Sequence, residues 1–186
     1  MRFNPHSELI GRHAVLSASK YHWINYSDEK MVATYHTLLA AQRGTELHDF
    51  ASNAIRLRQK LRGNTTTMAA YVNDAIDFKM TPEQILFYSA VAFGTCDAIS
   101  FRQNMLRIHD LKTGTSRTSM HQLEVYVALF CLEYGVRPGE ILIELRIYQE
   151  NEVQVYIPDV DDIAKIMDKI KRFDKMIQRI REEELG

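Results

Sequence analysis

Cysteine is scarce in this chain: Cys96 and Cys131 are the only two in 186 residues. Two thiols exclude a disulfide framework and any four-cysteine zinc or iron–sulfur site, and they fit a reducing cytoplasm. An excess of one charge is also missing, since Lys+Arg 23 against Asp+Glu 24 leaves a formal net charge of -1. That balance excludes the global cationic surplus of proteins that bind nucleic acid non-specifically, so a polyanion would have to be met by local patches. Long hydrophobic runs are absent. The start carries Pro5, His6 and Glu8 and does not read as a signal peptide, and no later stretch reaches membrane-spanning length, so a soluble cytoplasmic protein is expected. There is no internal repeat, no low-complexity tract and no Gly-x-x-x-x-Gly-Lys-Ser/Thr run to drive a nucleotide-powered motor.

What is present supports one substantial core. The chain is 46% hydrophobic and of single-domain length, so one domain over 1–186 is expected: a helical region over residues 1–84, a sheet-containing core over 85–158 and a C-terminal helix over 159–186. Two short helices are predicted over 16–39, the second opening near Asp28, and Thr45 is read as the N-cap of another running to about Leu61. That helix carries an apolar stripe of Leu47, Phe50, Ala51, Ala54 and Leu61, with Arg56, Arg58, Lys60 and Arg62 projecting elsewhere. Such a basic run is either a solvated face or a phosphate-binding one. A short helix over 68–78 follows the Gly63–Asn64 break. Runs at 85–93, 95–101 and 106–111, separated by Gly94 and by Gln103–Asn104, predict a three-stranded meander. Ser119 then caps an apolar helix to about Tyr134, residues 141–148 and 153–157 flank Glu150–Asn151 as a hairpin, and a last helix follows Pro158. This order describes an α+β or α/β sandwich with a mixed central sheet. In the last helix Ile163, Ile166, Met167, Ile170, Phe173, Ile177 and Ile180 form a stripe that either closes the core or meets a partner chain.

The chemistry-bearing residues begin with Asp110 and Lys112, which period two places on one strand face. Phosphodiester hydrolysis needs a carboxylate to hold a hard divalent cation and a positive group near the attacking water or the developing charge. An Asp-x-Lys pair also occurs as a mere strand-end surface pair. Asp97 lies on the preceding strand, where a meander brings it toward Asp110, and two acids side by side call for a cation between them; alternatively Asp97 caps a turn after Gly94. His48, read in the first turn of the basic helix, can complete a metal site or be an ordinary surface or core histidine. Gln122 and Tyr126 stack on one helix face at i, i+4. Arg102, Arg107, Lys112 and Arg117 are expected to surround the second and third of these motifs.

In order, Gly44-x-x-x-His48, Gly94-x-x-Asp97, Asp110-Leu111-Lys112-Thr113-Gly114 and Gln122-x-x-x-Tyr126 resemble the active-site series of RecB-type nucleases in the PD-(D/E)XK superfamily. Leu16-Ser17-Ala18-Ser19 followed by Trp23 resembles the opening of small phage and prophage members, so the resemblance covers about 16–130. It implies a restriction-endonuclease-like core and a phage-encoded DNA exonuclease or end-processing nuclease of replication or recombination, working in the host cytoplasm. It also implies Mg²⁺ or Mn²⁺ held by His48, Asp97, Asp110 and the Leu111 carbonyl. Lys112 would position or activate water, Gln122 and Tyr126 would orient the site and the DNA backbone, and Glu46 could stand in an outer shell. Relatives with an iron–sulfur cluster use four cysteines, so no cluster is expected. DNA contacts are assigned to Arg56, Arg58 and Arg117. Partners would be DNA and either a second copy or recombination and replication proteins. The competing reading is a catalytically inactive DNA-binding or regulatory protein on the same fold.

Overall fold

The structure is a computed structural model, and it describes Ser7 and residues 14–63, 66–116 and 118–185. The expectations for the chain start, for Asn64 and for Arg117 lie outside those residues, apart from Ser7. The chain forms two compact units, residues 1–45 and 46–186.

In the first unit a 3₁₀ segment, Ala18–Asn25, replaces the first expected helix, and the Trp23 indole donates to the Ser17 carbonyl at 2.9 Å. Helix α1, Asp28–Arg56, opens where expected, with the Ser27 hydroxyl accepting from the Lys30 N–H at 3.3 Å and Asp28 and Glu29 in the first turn. It does not stop at Gly44. Thr45 is no N-cap: its hydroxyl donates back to the Ala41 carbonyl at 3.3 Å inside the helix. An isolated helical glycine costs only about 1 kcal/mol against alanine, too little to break a helix whose neighbours all continue it. His48 is therefore mid-helix rather than in a first turn.

In the second unit α1 buries Ala51, Ser52, Ala54 and Ile55, whereas Phe50 is 52% exposed. The helix ends at Arg56, short of Leu61. Arg58 takes φ 54°, and the N–H groups of Arg58 and Gln59 close onto the Ile55 and Ala54 carbonyls, a Schellman-type cap built on arginine instead of glycine. Helix α2, Thr67–Asp77, begins at Thr66, whose hydroxyl accepts from the Ala69 N–H, and ends in the same way with Lys79 at φ 53°.

Five strands follow: β1 Thr81–Ser89, β2 Ala92–Arg102, β3 Met105–Leu111, β4 Leu142–Gln149 and β5 Glu152–Tyr156, with α3 His121–Tyr134 between β3 and β4 and α4 Val160–Leu185 at the end. They lie side by side in chain order, all neighbours antiparallel except the parallel pair β3 and β4, which α3 connects. This is an α+β sandwich with a mixed sheet. The expected turns at Gln103–Asn104 and Glu150–Asn151 are present as two-residue loops with both φ positive, as right-twisted hairpins require. The first hairpin instead turns after Ser89, and Gly94 lies inside β2. Pro82 falls within β1, which tolerates it as an edge strand. Ser119 accepts from the His121 N–H although Met120 is the capping residue of α3.

One face of the sheet carries α3 and α4 over Leu106, Ile108, Leu145 and Ile147; the other packs α1 and α2 over Ala98, Leu111 and Tyr148. In α4 the apolar stripe closes the core over part of its length: Ile163 is buried and Ile166, Met167 and Ile170 pack on the core, while Phe173 and Ile180 are exposed. No helix among the described residues is long and apolar enough to cross a membrane.

The α2 face contains a buried polar chain. The Tyr148 hydroxyl donates to Asp74 Oδ2 at 2.7 Å, so the 3.2 Å contact between that hydroxyl and His109 Nδ1 requires Nδ1–H to be the donor. His109 Nε2 then holds a bare lone pair, with no partner among the described residues, in a residue of 0% exposure. Burial, then the charges of Arg146 and Arg107, push the imidazole down to about 3. An unfolded histidine protonates near 6.5, so between that pH and about 3 the unfolded chain binds a proton the folded chain refuses, and acid destabilises the fold. Chemical denaturation from pH 7 down to pH 4 should therefore show a shallower stability loss in His109→Phe than in wild type. Parallel profiles would mean that His109 is not the acid-sensitive group.

Candidate metal centre

Asp97 and Asp110 approach each other because β2 and β3 are antiparallel neighbours and both side chains fall on the α3 face. Asp97 is largely buried; its Oδ2 accepts from the Leu111 N–H at 2.8 Å and lies 3.4 Å from His48 Nδ1. Asp110 is only 2% exposed. The Lys112 ammonium stands 3.1 Å from its Oδ1 and 2.9 Å from its Oδ2, but only the first contact is aligned as a hydrogen bond, which leaves Oδ2 with charge contact and no directed donor.

Lys112 is held from the far side as well. It donates to Gln122 Oε1 at 3.0 Å, Gln122 Nε2 donates to the Tyr126 hydroxyl at 3.2 Å, and that hydroxyl donates to the Thr95 carbonyl at 2.6 Å. The i, i+4 pair on α3 thus reaches from the lysine on one strand end to the backbone of β2. Gly94 makes this possible: a Cβ there would sit 3.0 Å from Tyr126 Cε1. The glycine serves close approach of an aromatic ring, not a turn.

Glu83 is the residue that sequence reasoning missed. One donor atom each from His48, Glu83 and Asp97 lie within 4.8 Å of one another. Glu83 stands opposite Asp97, since Pro82 pairs with Ala98 and Gln84 with Cys96, and it takes φ 52°. No motif flags it; only the β1–β2 register does, and reading Gly94 as a turn sets the wrong residues opposite each other. His48 and Asp97 are brought together as expected, with Glu83 as the third member, while Asp110 stands beside them with Lys112. Burial first, and Asp110 second, push the Asp97 carboxyl up to about 6, against the opposing pull of the Leu111 N–H and His48. A buried carboxylate crowded by a second one favours a proton or a cation in its place.

The cations assigned to DNA are arranged differently. Arg56 ends α1, exposed, and Arg58 donates to the Ile76 carbonyl at 3.3 Å. Lys60 pairs with Asp77 at 2.6 Å. Arg102 and Arg107 do not surround the acids: they sit near the β2–β3 turn, at the opposite end of those strands. Both cysteine thiols are buried, and burial raises Cys96 to about 12 and Cys131 to about 11, which makes them poor thiolates.

The His48 imidazole and the Glu83 and Asp97 carboxylates, with Asp110 on the neighbouring strand, are the donor types that suit a divalent cation. No protein-family model matches the chain, and no curated protein is similar to it.

Proposed function

We propose that this chain is a divalent-metal-dependent DNA nuclease of the RecB-like PD-(D/E)XK kind, acting in phage replication or recombination. The observation that carries the reading is the continuity of four separated sequence motifs: His48, Asp97, Asp110–Lys112 and Gln122–Tyr126 are joined by contacts into one cluster. The donor set fits Mg²⁺ or Mn²⁺, because Asp97 and Asp110 lack full compensation for their charge and an imidazole and Glu83 stand beside them. His48, Glu83, Asp97, Asp110 and the Leu111 carbonyl would hold the ion. Once bound, it would acidify water and polarise the scissile phosphate. Lys112 brings a fixed positive charge to the same place, aimed by Gln122, and Tyr126 keeps Gln122 in register. Arg56, Arg58 and Arg117 are the proposed phosphate contacts.

Two measurements test this together. Purified protein should cut linear DNA with Mg²⁺ or Mn²⁺, and Asp110→Ala should not; wild-type protein that binds DNA yet never cuts it would leave only the non-catalytic reading. Mn²⁺ at about 100-fold above its Kd should stabilise the fold by about 2.7 kcal/mol, a rise in Tm of roughly 5–10 °C. The shift should vanish in Asp97→Ala/Asp110→Ala and shrink in Glu83→Gln. A full shift in the double variant places the metal elsewhere.

A further inference from the structure

Arg102 and Arg107 are left over by the nuclease reading, and the structure shows where they go. With Phe78, Lys79, Phe101 and Leu142 they line an open groove of about 760 Å³ at the turn end of β2 and β3. A smaller cavity of about 240 Å³ continues it, sharing Lys79, Phe101 and Arg102 and reaching Ser100, whose buried hydroxyl has no hydrogen-bond partner among the described residues. Five residues separate Arg102 from Asp97 along β2, about 17 Å at the rise of a strand. Arg107 and Asp110 also differ in parity, so that arginine faces the other side of the sheet from the acids.

The charge of the groove is net positive. Lys79 and Arg102 are exposed and form no ion pair among the described residues. Arg107 is balanced by Glu144 at 3.2 Å and lies over the Phe78 ring at 4.4 Å, and the one acid on the rim, Asp77, is taken by Lys60. The backbone of Lys79 is held in its left-handed cap conformation at the end of α2. The same groove carries exposed apolar side chains: Phe101, whose ring also packs on Phe130 at 5.3 Å, is 43% exposed and Leu142 60%. Cations that share a groove with an exposed aromatic ring match a strand with accessible base faces and neighbouring phosphates. A duplex would offer this groove phosphates alone and leave Phe101 and Leu142 facing water.

We propose that this groove is a second nucleic-acid site that binds unpaired DNA, with phosphates on Lys79 and Arg102 and a base stacked on Phe101. The inference rests on DNA being the ligand of the proposed nuclease, but not on cleavage.

The test is fluorescence anisotropy of the full chain in EDTA, with an oligothymidylate of about 20 nucleotides and a blunt duplex of equal length, at two salt concentrations. Lys79→Ala/Arg102→Ala should weaken oligothymidylate binding roughly tenfold or more and flatten the salt slope by about 1.4, the value for two phosphates on a single strand. Phe101→Ala should weaken the same probe about tenfold with the slope unchanged. Lys169→Ala/Lys171→Ala, exposed cations on α4, should change nothing. Melting temperatures confirm that each variant is folded. Wild-type affinity in the groove variants, equal losses on duplex, or no binding of oligothymidylate by wild type each overturns the proposal. Failure of the nuclease reading looks different: no cleavage by wild type, with groove-dependent binding of the oligonucleotide intact. Conversely, if short duplexes are cut but the groove variants bind like wild type, only the groove falls.

Discussion

Lys112→Ala should lower the single-turnover rate of DNA cleavage by about 100-fold or more while equilibrium affinity for DNA stays nearly unchanged. The ammonium is fixed between Asp110 and Gln122 at the end of β3, so its charge is pre-positioned rather than recruited. Such a charge matters most where new negative charge develops on phosphorus, and much less to ground-state binding along the backbone. The variant has a structural cost that must be separated from the chemical one. Asp110 is almost wholly buried and would lose its counter-charge, which can destabilise a fold by about 3–5 kcal/mol when nothing replaces it. Saturating Mn²⁺ supplies that replacement. The comparison is therefore made with metal present, below the melting temperature of both proteins, with rate and affinity read separately. Cleavage at the wild-type rate would show that the third motif is not an active site.

Asp74→Ala should be among the most destabilising single changes in the chain, about 2–4 kcal/mol, or a fall in Tm of roughly 4–16 °C. Asp74 Oδ2 accepts both from the Tyr148 hydroxyl and from Arg146 Nη1, at 2.7 and 2.9 Å. Arg146 keeps Glu144, but Tyr148 is wholly buried. Its hydroxyl could turn to donate to His109 Nδ1, which would force the imidazole proton onto Nε2, where no acceptor exists among the described residues. The deficit then moves along the chain of groups rather than disappearing. Tyr148→Phe in the Asp74→Ala background should accordingly recover some of the loss, whereas alone it should destabilise. Additive losses in a thermal or urea denaturation cycle would refute the linkage.

Elements with strong local chemistry were legible in the sequence. Gln103–Asn104 and Glu150–Asn151 mark both two-residue turns, the apolar run from Leu123 to Cys131 marks the core helix, and β3 is bounded nearly where alternation placed it. Period two alone put Asp110 and Lys112 on one face, and i, i+4 put Gln122 beside Tyr126. Errors arose where one residue type serves two physical purposes. Gly44 and Thr45 look like a stop and a cap, yet the helix on either side outweighs a glycine's preference, and a threonine inside a helix bonds to the preceding turn. Gly94 looks like a turn but clears space for a ring. Glu83 could not be seen at all, because its relevance is a pairing between strands, and pairing partners are not adjacent in sequence. Arg102 and Arg107 stand away from the acids for the same reason: nearness along the chain is not nearness in space, because a strand carries its two ends far apart.

The gap above Gly94 has a mechanical meaning. Tyr126 approaches β2 this closely because the smallest residue leaves room, and the ring is the last link of a lever whose other end is the Lys112 ammonium. A methyl group at that point would act as a shim under one end of the lever. Displacing the ring by a few tenths of an ångström would be transmitted through Gln122 to the lysine, so the aim of a charge just past the end of β3 is calibrated by an absent side chain on β2.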